Sequence, residues 1–294
     1  MSFEEAYEEF KIYALKRHKK QGFITIDQDF SKHVLPYFKE KNINELTRID
    51  IIKWQNNILV FNFSNSFNAK LYYVFNSFIK YCVVCSYINE NIVSSVGSFN
   101  KKIEIKKHTT YNIHQFRKFR LYLSDFILKE YFNFMYFYGT RPSEAMALRF
   151  SDLKFNYVFI RHSIERKGTR CLDTPKNQSS IRVIKINSLM SFRIWLLKKY
   201  YIKNFGLCSN DYFIFGGPKP LAPTTIDRYK KEAYTRANLP NITQHEFRHS
   251  YATRKIHKKV PIDEVSRSMG HSKVSTTLDV YLHKEKNTLN VFFS

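Results

Sequence analysis

Four separated stretches of this chain carry side chains whose types and spacing could act on a phosphate. The first runs from Gly139-Thr140-Arg141-Pro142-Ser143-Glu144 to Asp152. Pro142 suits the first turn of a helix, so Arg141 would be held at a helix start, with Glu144 three residues on to pair with it. The second is His245-Glu246-Phe247-Arg248-His249-Ser250-Tyr251. His245 and Arg248 share a helical face, and a titratable imidazole beside a permanently charged guanidinium suits binding a phosphate and reacting with it. Phe247 and Tyr251 form a separate apolar row for a core. The third stretch spans Met269-Gly270-His271-Ser272 and continues to Tyr281. Gly270 can close one helix, Ser272 can cap the next, and Tyr281 follows His271 by ten residues. The fourth is the turn Thr174-Pro175-Lys176-Asn177-Gln178-Ser179-Ser180 before an apolar strand, from which Lys176 would project.

Taken singly, each stretch has an ordinary alternative. Arg and Glu at this spacing commonly make a surface pair. A helix with His and Arg can be a solvated basic face, a hairpin lysine is ordinarily exposed, and a tyrosine among 20 is nearly always packing. Their joint occurrence, in order, raises the functional reading.

The elements that must position these residues can be read from periodicity. In the first hundred residues, apolar side chains recur at three and four through Phe67, Leu71, Val74, Phe75, Phe78, Ile79 and Cys82. Phe3–His18, Phe30–Phe38 and Ile43–Gln55 show weaker versions, and Thr47 with Asp50 three residues on is a variant of the capping box. A bundle of four or five helices fits. Beyond it, helical signals at 112–139 give way to two strands, Tyr157–Arg161 and Ile181–Ile186, rich in β-branched residues. Helices resume at about 188–203, 223–237, 245–258, 261–268 and 273–284. The expected fold is mainly α with a small antiparallel β-sheet in the second domain.

Composition bounds the partner. Lys and Arg total 48 against 25 Asp and Glu, a formal charge of +23, which calls for an anionic counterpart. Nucleic acid, an anionic membrane surface and a polyanionic partner all satisfy that condition. An apolar fraction of 44%, with 27 Phe and 20 Tyr, is too core-rich for a disordered basic tail, and 294 residues suffice for two domains. Residues 1–105 hold 14 basic and 11 acidic residues, so about +20 of the charge falls in residues 106–294. Between the parts, the small and polar run 93–100 leads into the basic 101–107, a composition suited to an exposed linker. Lys101, Lys102, Lys106 and Lys107 either lie along phosphates or are simply solvated. No apolar run approaches a membrane span, and the acidic start Met1-Ser2-Phe3-Glu4-Glu5 is unlike a cationic signal peptide, so a cytoplasmic location is expected. Cys82-Val83-Val84-Cys85 has no second pair and no histidine cluster, and reads as apolar helix residues rather than a metal or redox site.

Together the four stretches resemble the tyrosine recombinase (phage integrase) family, recognised by an ordered Arg, Lys, His-x-x-Arg, His or Trp, and Tyr. Those positions stand here as Arg141, Lys176, His245, Arg248, His271 and Tyr281. Lys167 and Lys185 lie close enough in sequence to Lys176 to compete for its place. The resemblance implies a helical core-binding (SAM-like) domain over 1–100, a basic linker at 101–107 and a catalytic domain over 108–286. The tail 287–294 either folds back on its own domain or is exchanged between protomers. Such integrases often carry a further N-terminal arm-binding domain. This chain therefore reads as a minimal recombinase or as one whose upstream domain lies outside it.

The resemblance also implies a mechanism without metal, ATP or other cofactor. Tyr281 would attack the scissile phosphorus, forming a 3′-phosphotyrosyl link and releasing a 5′-hydroxyl. Arg141 and Arg248 would hold the non-bridging oxygens, with a hydrogen bond added by His271. Lys176 would protonate the leaving oxygen, His245 would manage the tyrosine proton, and Glu144 would orient Arg141 rather than react. Expected partners are double-stranded DNA core sites, a homo-tetramer on two duplexes and a directionality factor, with no membrane. The segment Asp29–Phe38 looks like the opening of integrase core-binding domains and points to integration and excision of a mobile element or phage genome. A chromosome-dimer resolvase or an invertase uses the same residues. A type IB topoisomerase shares the tyrosine chemistry, and a catalytically silent DNA-binding protein would account for the charge alone.

Overall fold

The computed structural model describes residues 1–18, 20–99, 109–164, 172–173 and 181–270. It divides into two compact units, Met1–Lys106 and Lys107–Ser294.

The first unit is helical. Its elements are α1 (Phe3–Leu15), α2 (Lys20–His33), α3 (Leu35–Phe38), a 3-10 turn at Ile43–Glu45, α4 (Arg48–Val60), α5 (Asn65–Val84) and α6 (Ile92–Val96). Among the described residues, four helices of ordinary length form the expected helical bundle, with two short helices added to it. The pattern over 30–38 is divided between α2 and α3, because Pro36 cannot continue a helix and restarts one instead. The cap at Thr47 forms: its side chain accepts from the Asp50 amide, and the Asp50 carboxylate accepts from the Thr47 amide at 3.0 Å. Ser2 and Glu5 make the same box at the start of α1. The core is aromatic, with Phe3, Tyr7, Phe10, Phe30, Trp54, Phe75 and Phe78 buried and Tyr7 stacked on Phe30 at 3.9 Å. Each such ring contributes roughly 1.5–3 kcal/mol by burial, and stacked pairs add about 1 kcal/mol. The polar edges are satisfied, the Trp54 indole by the His33 carbonyl at 2.7 Å and the Tyr7 hydroxyl by Asp27 at 3.0 Å. Cys82 is buried in α5 and Cys85 sits half-exposed at its end, both free, as apolar helix residues would be.

The second unit is mainly α around a small sheet. It runs α7 (Ile113–Tyr122), α8 (Phe126–Tyr138), α9 (Pro142–Ala147), a 3-10 turn (Phe150–Asp152), β1 (Leu153–Lys154), β2 (Tyr157–Ile160), β3 (Ser163–Ile164), β4 (Leu172–Asp173) and β5 (Arg182–Lys185). Then follow α10 (Ser188–Phe205), α11 (Pro223–Arg236), α12 (Gln244–His257) and α13 (Ile262–Met269). The helical signal over 112–139 is two helices. Asp125 accepts from the Leu128 amide at 2.8 Å, and this cap starts α8 afresh. One sheet has the order β1-β2-β5, antiparallel, with Tyr157 opposite Lys185 and Ile160 opposite Arg182. A second pairs β3 with β4, strands too short to leave an alternating sequence pattern. At the centre lies α8, in which Leu128 and every residue from Glu130 to Tyr136 are buried. Within it Glu130 is the charged exception, neutralised by Arg120 at 2.8 Å and Arg193 at 3.3 Å. Against α8 packs α12: Phe247 enters the main core, while Tyr251 joins Ala252, Val265 and Met269 in a smaller cluster shared with α13. Among the described residues, no helix is long and apolar enough to cross a membrane.

Candidate functional site

The site is built where α8, α9, α12, α13 and β5 meet. Gly139 ends α8 in the left-handed conformation, at φ +67°, and turns the chain so that Arg141 stands just ahead of α9 with Pro142 in its first turn. The Arg141–Glu144 pairing expected from the spacing forms, with Nη1 donating to Oε1 at 2.7 Å and the Arg141 amide donating to Oε2 at 2.9 Å. His245 and Arg248 lie on the first turns of α12. Thr243 caps that helix, with the Glu246 carboxylate closing the box on the Thr243 amide. From α11, Lys230 donates to the Ile242 carbonyl at 2.8 Å and Asp227 accepts from the Gln244 amide group at 3.1 Å, which steadies the loop into α12. His245 is exposed and Arg248 is buried.

The arginines converge on one helix end. The last carbonyls of an α-helix have no partner within the helix and carry its negative pole. At the end of α13, three consecutive carbonyls each accept from a different arginine. Ser268 accepts from Arg182 Nε at 2.9 Å, Met269 from Arg248 Nη2 at 2.7 Å and Gly270 from Arg141 Nη2 at 2.8 Å. Arg248 also donates to the Gly139 carbonyl at 2.8 Å, tying the end of α8 to the end of α13. Gly270 is left-handed, at φ +70°, and closes α13 as expected. The chain therefore enters residue 271 from a point held by the two arginines assigned to phosphate.

Arg182 is the residue that sequence reasoning missed. It grips Glu144 with both terminal nitrogens, Nη2 to Oε2 at 2.8 Å and Nη1 to Oε1 at 3.1 Å. Its signal was present but faint. In β5, Arg182 and Ile184 are half-buried while Val183 and Lys185 are exposed, and an arginine on the inward side of a strand requires a buried partner. That partner carries the strongest electrostatic effect of the site. Burial by itself pushes the Glu144 carboxyl up. Hydrogen bonds and charge from Arg182, with the charges of Arg248 and Arg141, outweigh it and hold the carboxyl at about 2. Among the described residues, the cluster thus contains three guanidinium charges and one fixed carboxylate.

The other expected residues fall as follows. Lys185 alternates to the side of β5 away from Arg182 and lines a cavity of about 760 Å³ together with Thr110, Tyr136, Phe137, Arg254 and Lys258. This removes it from the cluster as a competitor of Lys176. Of the candidates among the described residues, Arg141, His245 and Arg248 do not line that cavity, and a phosphodiester in a duplex needs an accessible basic surface, so the arginine cluster is the better candidate site. Lys176, His271 and Tyr281 lie outside the described residues, as do Lys167, the linker lysines Lys101, Lys102, Lys106 and Lys107, and the tail 287–294. Among the described residues, no group of three or more His, Cys, Asp or Glu is placed to hold a metal ion.

A helical N-terminal unit of the SAM-like kind, followed by a mainly α unit with a small antiparallel sheet and an Arg, His-x-x-Arg constellation, defines the tyrosine recombinase class of fold. The chain belongs to the phage integrase family: the family model "Phage integrase family" matches residues 109–288, and "Phage integrase, N-terminal SAM-like domain" matches residues 2–59. It is 31% identical over 201 residues to a tyrosine recombinase of Thermosipho africanus, covering 67% of this chain but only 56% of that protein's length. With the ICEBs1 integrase of Bacillus subtilis it shares 24% identity over 272 residues, 87% of this chain and 72% of that protein. In fold it is similar to the Tn1549 transposon integrase, solved in complex with a circular intermediate DNA. The TM-score is 0.77 at 17% identity, covering 98% of this chain and 99% of the other.

Proposed function

We propose that this protein is a site-specific tyrosine recombinase that cuts and rejoins DNA and serves the integration and excision of a mobile element. One observation carries the reading. Arg141 and Arg248 come from separate helices yet meet at the carbonyls of Met269 and Gly270, so the segment leading to His271 and Tyr281 starts beside both phosphate-binding guanidiniums. Attack on a phosphodiester is slow because its anionic oxygens repel a nucleophile and its alkoxide leaves poorly. Two planar forks offset the charge that develops in the transition state. Tyr281 attacks phosphorus, the P–O5′ bond breaks, and Lys176 passes a proton to the departing oxygen while His245 receives the tyrosine proton. The phosphotyrosyl link conserves the bond energy, so a second 5′-hydroxyl reverses the step. Exchange between two duplexes cuts four strands with one tyrosine each, which makes four copies on two core sites the working assembly. Domain bounds of 1–100, 101–107 and 108–286 and work on DNA in the cytosol belong to the same reading. The mobile-element role rests on the likeness to the ICEBs1 and Tn1549 integrases.

The test is covalent trapping on a nicked suicide substrate carrying the element's core site. The wild-type chain is expected to form a protein–DNA adduct, while Tyr281→Phe binds the same site and forms none. An adduct retained by Tyr281→Phe would overturn the nucleophile assignment, and supercoil relaxation without synapsis or site preference would favour a topoisomerase.

A further inference from the structure

Three arginines, not two, close on the end of α13, and the third has no role in the reading above. Arg182 reaches this point from β5, the strand that follows the Lys176 turn in sequence. Its side chain is only 8% exposed, so it is placed to brace and not to touch a phosphate in solution. Within the described residues its bonds fix two neighbours on different helices: Nε donates to the Ser268 carbonyl on α13, and the two terminal nitrogens donate to the two oxygens of Glu144 on α9. Glu144 in turn holds the Arg141 side chain and amide. The fork of Arg182 therefore links the strand beside the lysine turn, the helix start bearing Arg141 and the helix end that leads to His271.

The charge balance makes the same point. Glu144 is 3% exposed and its carboxylate is fixed. With Arg141 as its only close partner it would form a neutral pair, and the guanidinium meant for DNA would be spent on it. Arg182 takes up that carboxylate by a bidentate pair, the strongest geometry available between these groups. Among the described residues, Arg141, Arg182 and Arg248 against Glu144 leave a net charge of +2.

We propose that Arg182 is a positioning residue for strand cleavage, which holds Glu144 so that Arg141 keeps both its aim and its charge for the scissile phosphate. The proposal rests on the recombinase reading and adds to it a residue outside the six that carry the family resemblance.

The experiment measures single-turnover cleavage of the suicide substrate and core-site affinity for four full-length variants: Arg182→Met, Arg182→Lys, Glu144→Gln and the double Arg182→Met/Glu144→Gln. Arg182→Met is expected to slow cleavage roughly 100-fold, as a displaced catalytic group does, with site affinity changed by no more than about 3-fold. Arg182→Lys keeps the charge without the fork and is expected to lie between. In the double variant the unpaired carboxylate is gone, and cleavage is expected to recover at least about tenfold over Arg182→Met, a coupling that a merely structural role would not produce. If Arg182→Met does not fold, Arg182→Lys decides: an intermediate rate supports the proposal and a wild-type rate overturns it. A wild-type rate for Arg182→Met, or a double variant no faster than Arg182→Met, also overturns it. Absence of any adduct with the unmutated chain would instead sink the recombinase reading, and this inference with it.

Discussion

Gly139→Ala would strike the site through the backbone, and its cost can be worked from two independent pieces. At φ +67° an L side chain sits in the left-handed region, which costs about 1–2 kcal/mol. A carbon added there would also lie 2.4 Å from Tyr251 Cδ1 and 2.8 Å from its Cγ, distances that real side chains do not show. Tyr251 cannot easily withdraw. Its ring is buried between α12 and α13, and its hydroxyl is hydrogen-bonded to the Ser268 hydroxyl at 3.0 Å. Overpacking of this kind costs about 1–3 kcal/mol, so the total is about 2–5 kcal/mol, a fall of roughly 5–15 °C in Tm for a unit of this size. Gly206 supplies the control. It ends α10 at φ +75° with nothing within 4 Å of an added carbon, so Gly206→Ala should lose only the conformational part, about 1–2 kcal/mol. Function should separate the two further, because the Gly139 carbonyl accepts from Arg248 Nη1 and the Gly206 carbonyl has no part in the site. Thermal unfolding of the intact chain and suicide-substrate trapping measure both effects. Equal Tm losses for the two variants, or unchanged trapping by Gly139→Ala, would refute the argument that the Tyr251 contact and the Arg248 acceptor set the cost.

Further expectations concern the same cluster. Because the Glu144 carboxyl is held at about 2, below its ordinary value of 4.5, its contribution is fully present above pH 4.5 and is lost as pH falls towards 2. The stability gap between wild type and Glu144→Gln, read from urea midpoints, should narrow by about 2 kcal/mol between pH 5 and pH 3, and a constant gap contradicts the assignment. Thr243→Ala removes the cap of α12 and should cost about 1 kcal/mol in chemical denaturation while lowering the cleavage rate through a loosened His245. Lys176→Ala should slow cleavage of an ordinary substrate and be rescued by a 5′-phosphorothiolate, whose sulfur leaves without a proton; absence of rescue moves the general acid to another residue.

How much of this was legible beforehand depended on whether the cause was local. The pair Arg141 and Glu144, the proline at the start of α9, Gly270 at the end of α13 and the Thr47–Asp50 box follow from contacts three or four residues apart, which spacing alone specifies. Division of the 112–139 pattern by Asp125 was equally local but hidden, since apolar residues continue through the break. The two residues of β3 and the two of β4 are too short to show a period.

The sequence by itself determined the family and the charge that favours an anionic partner, and it supplied the residues proposed here for phosphoryl chemistry, because residue type and order suffice for each. Only the tertiary structure decided which arginines share a carboxylate and which carbonyls they read. Arg182 and Glu144 are 38 residues apart, and Arg141 and Gly270 are 129 apart. Contacts over such separations are set by how α8, α12 and β5 pack about α13, and no periodicity along the chain records them. The buried arginine on β5 carried a faint sign of a partner, and packing supplied the partner.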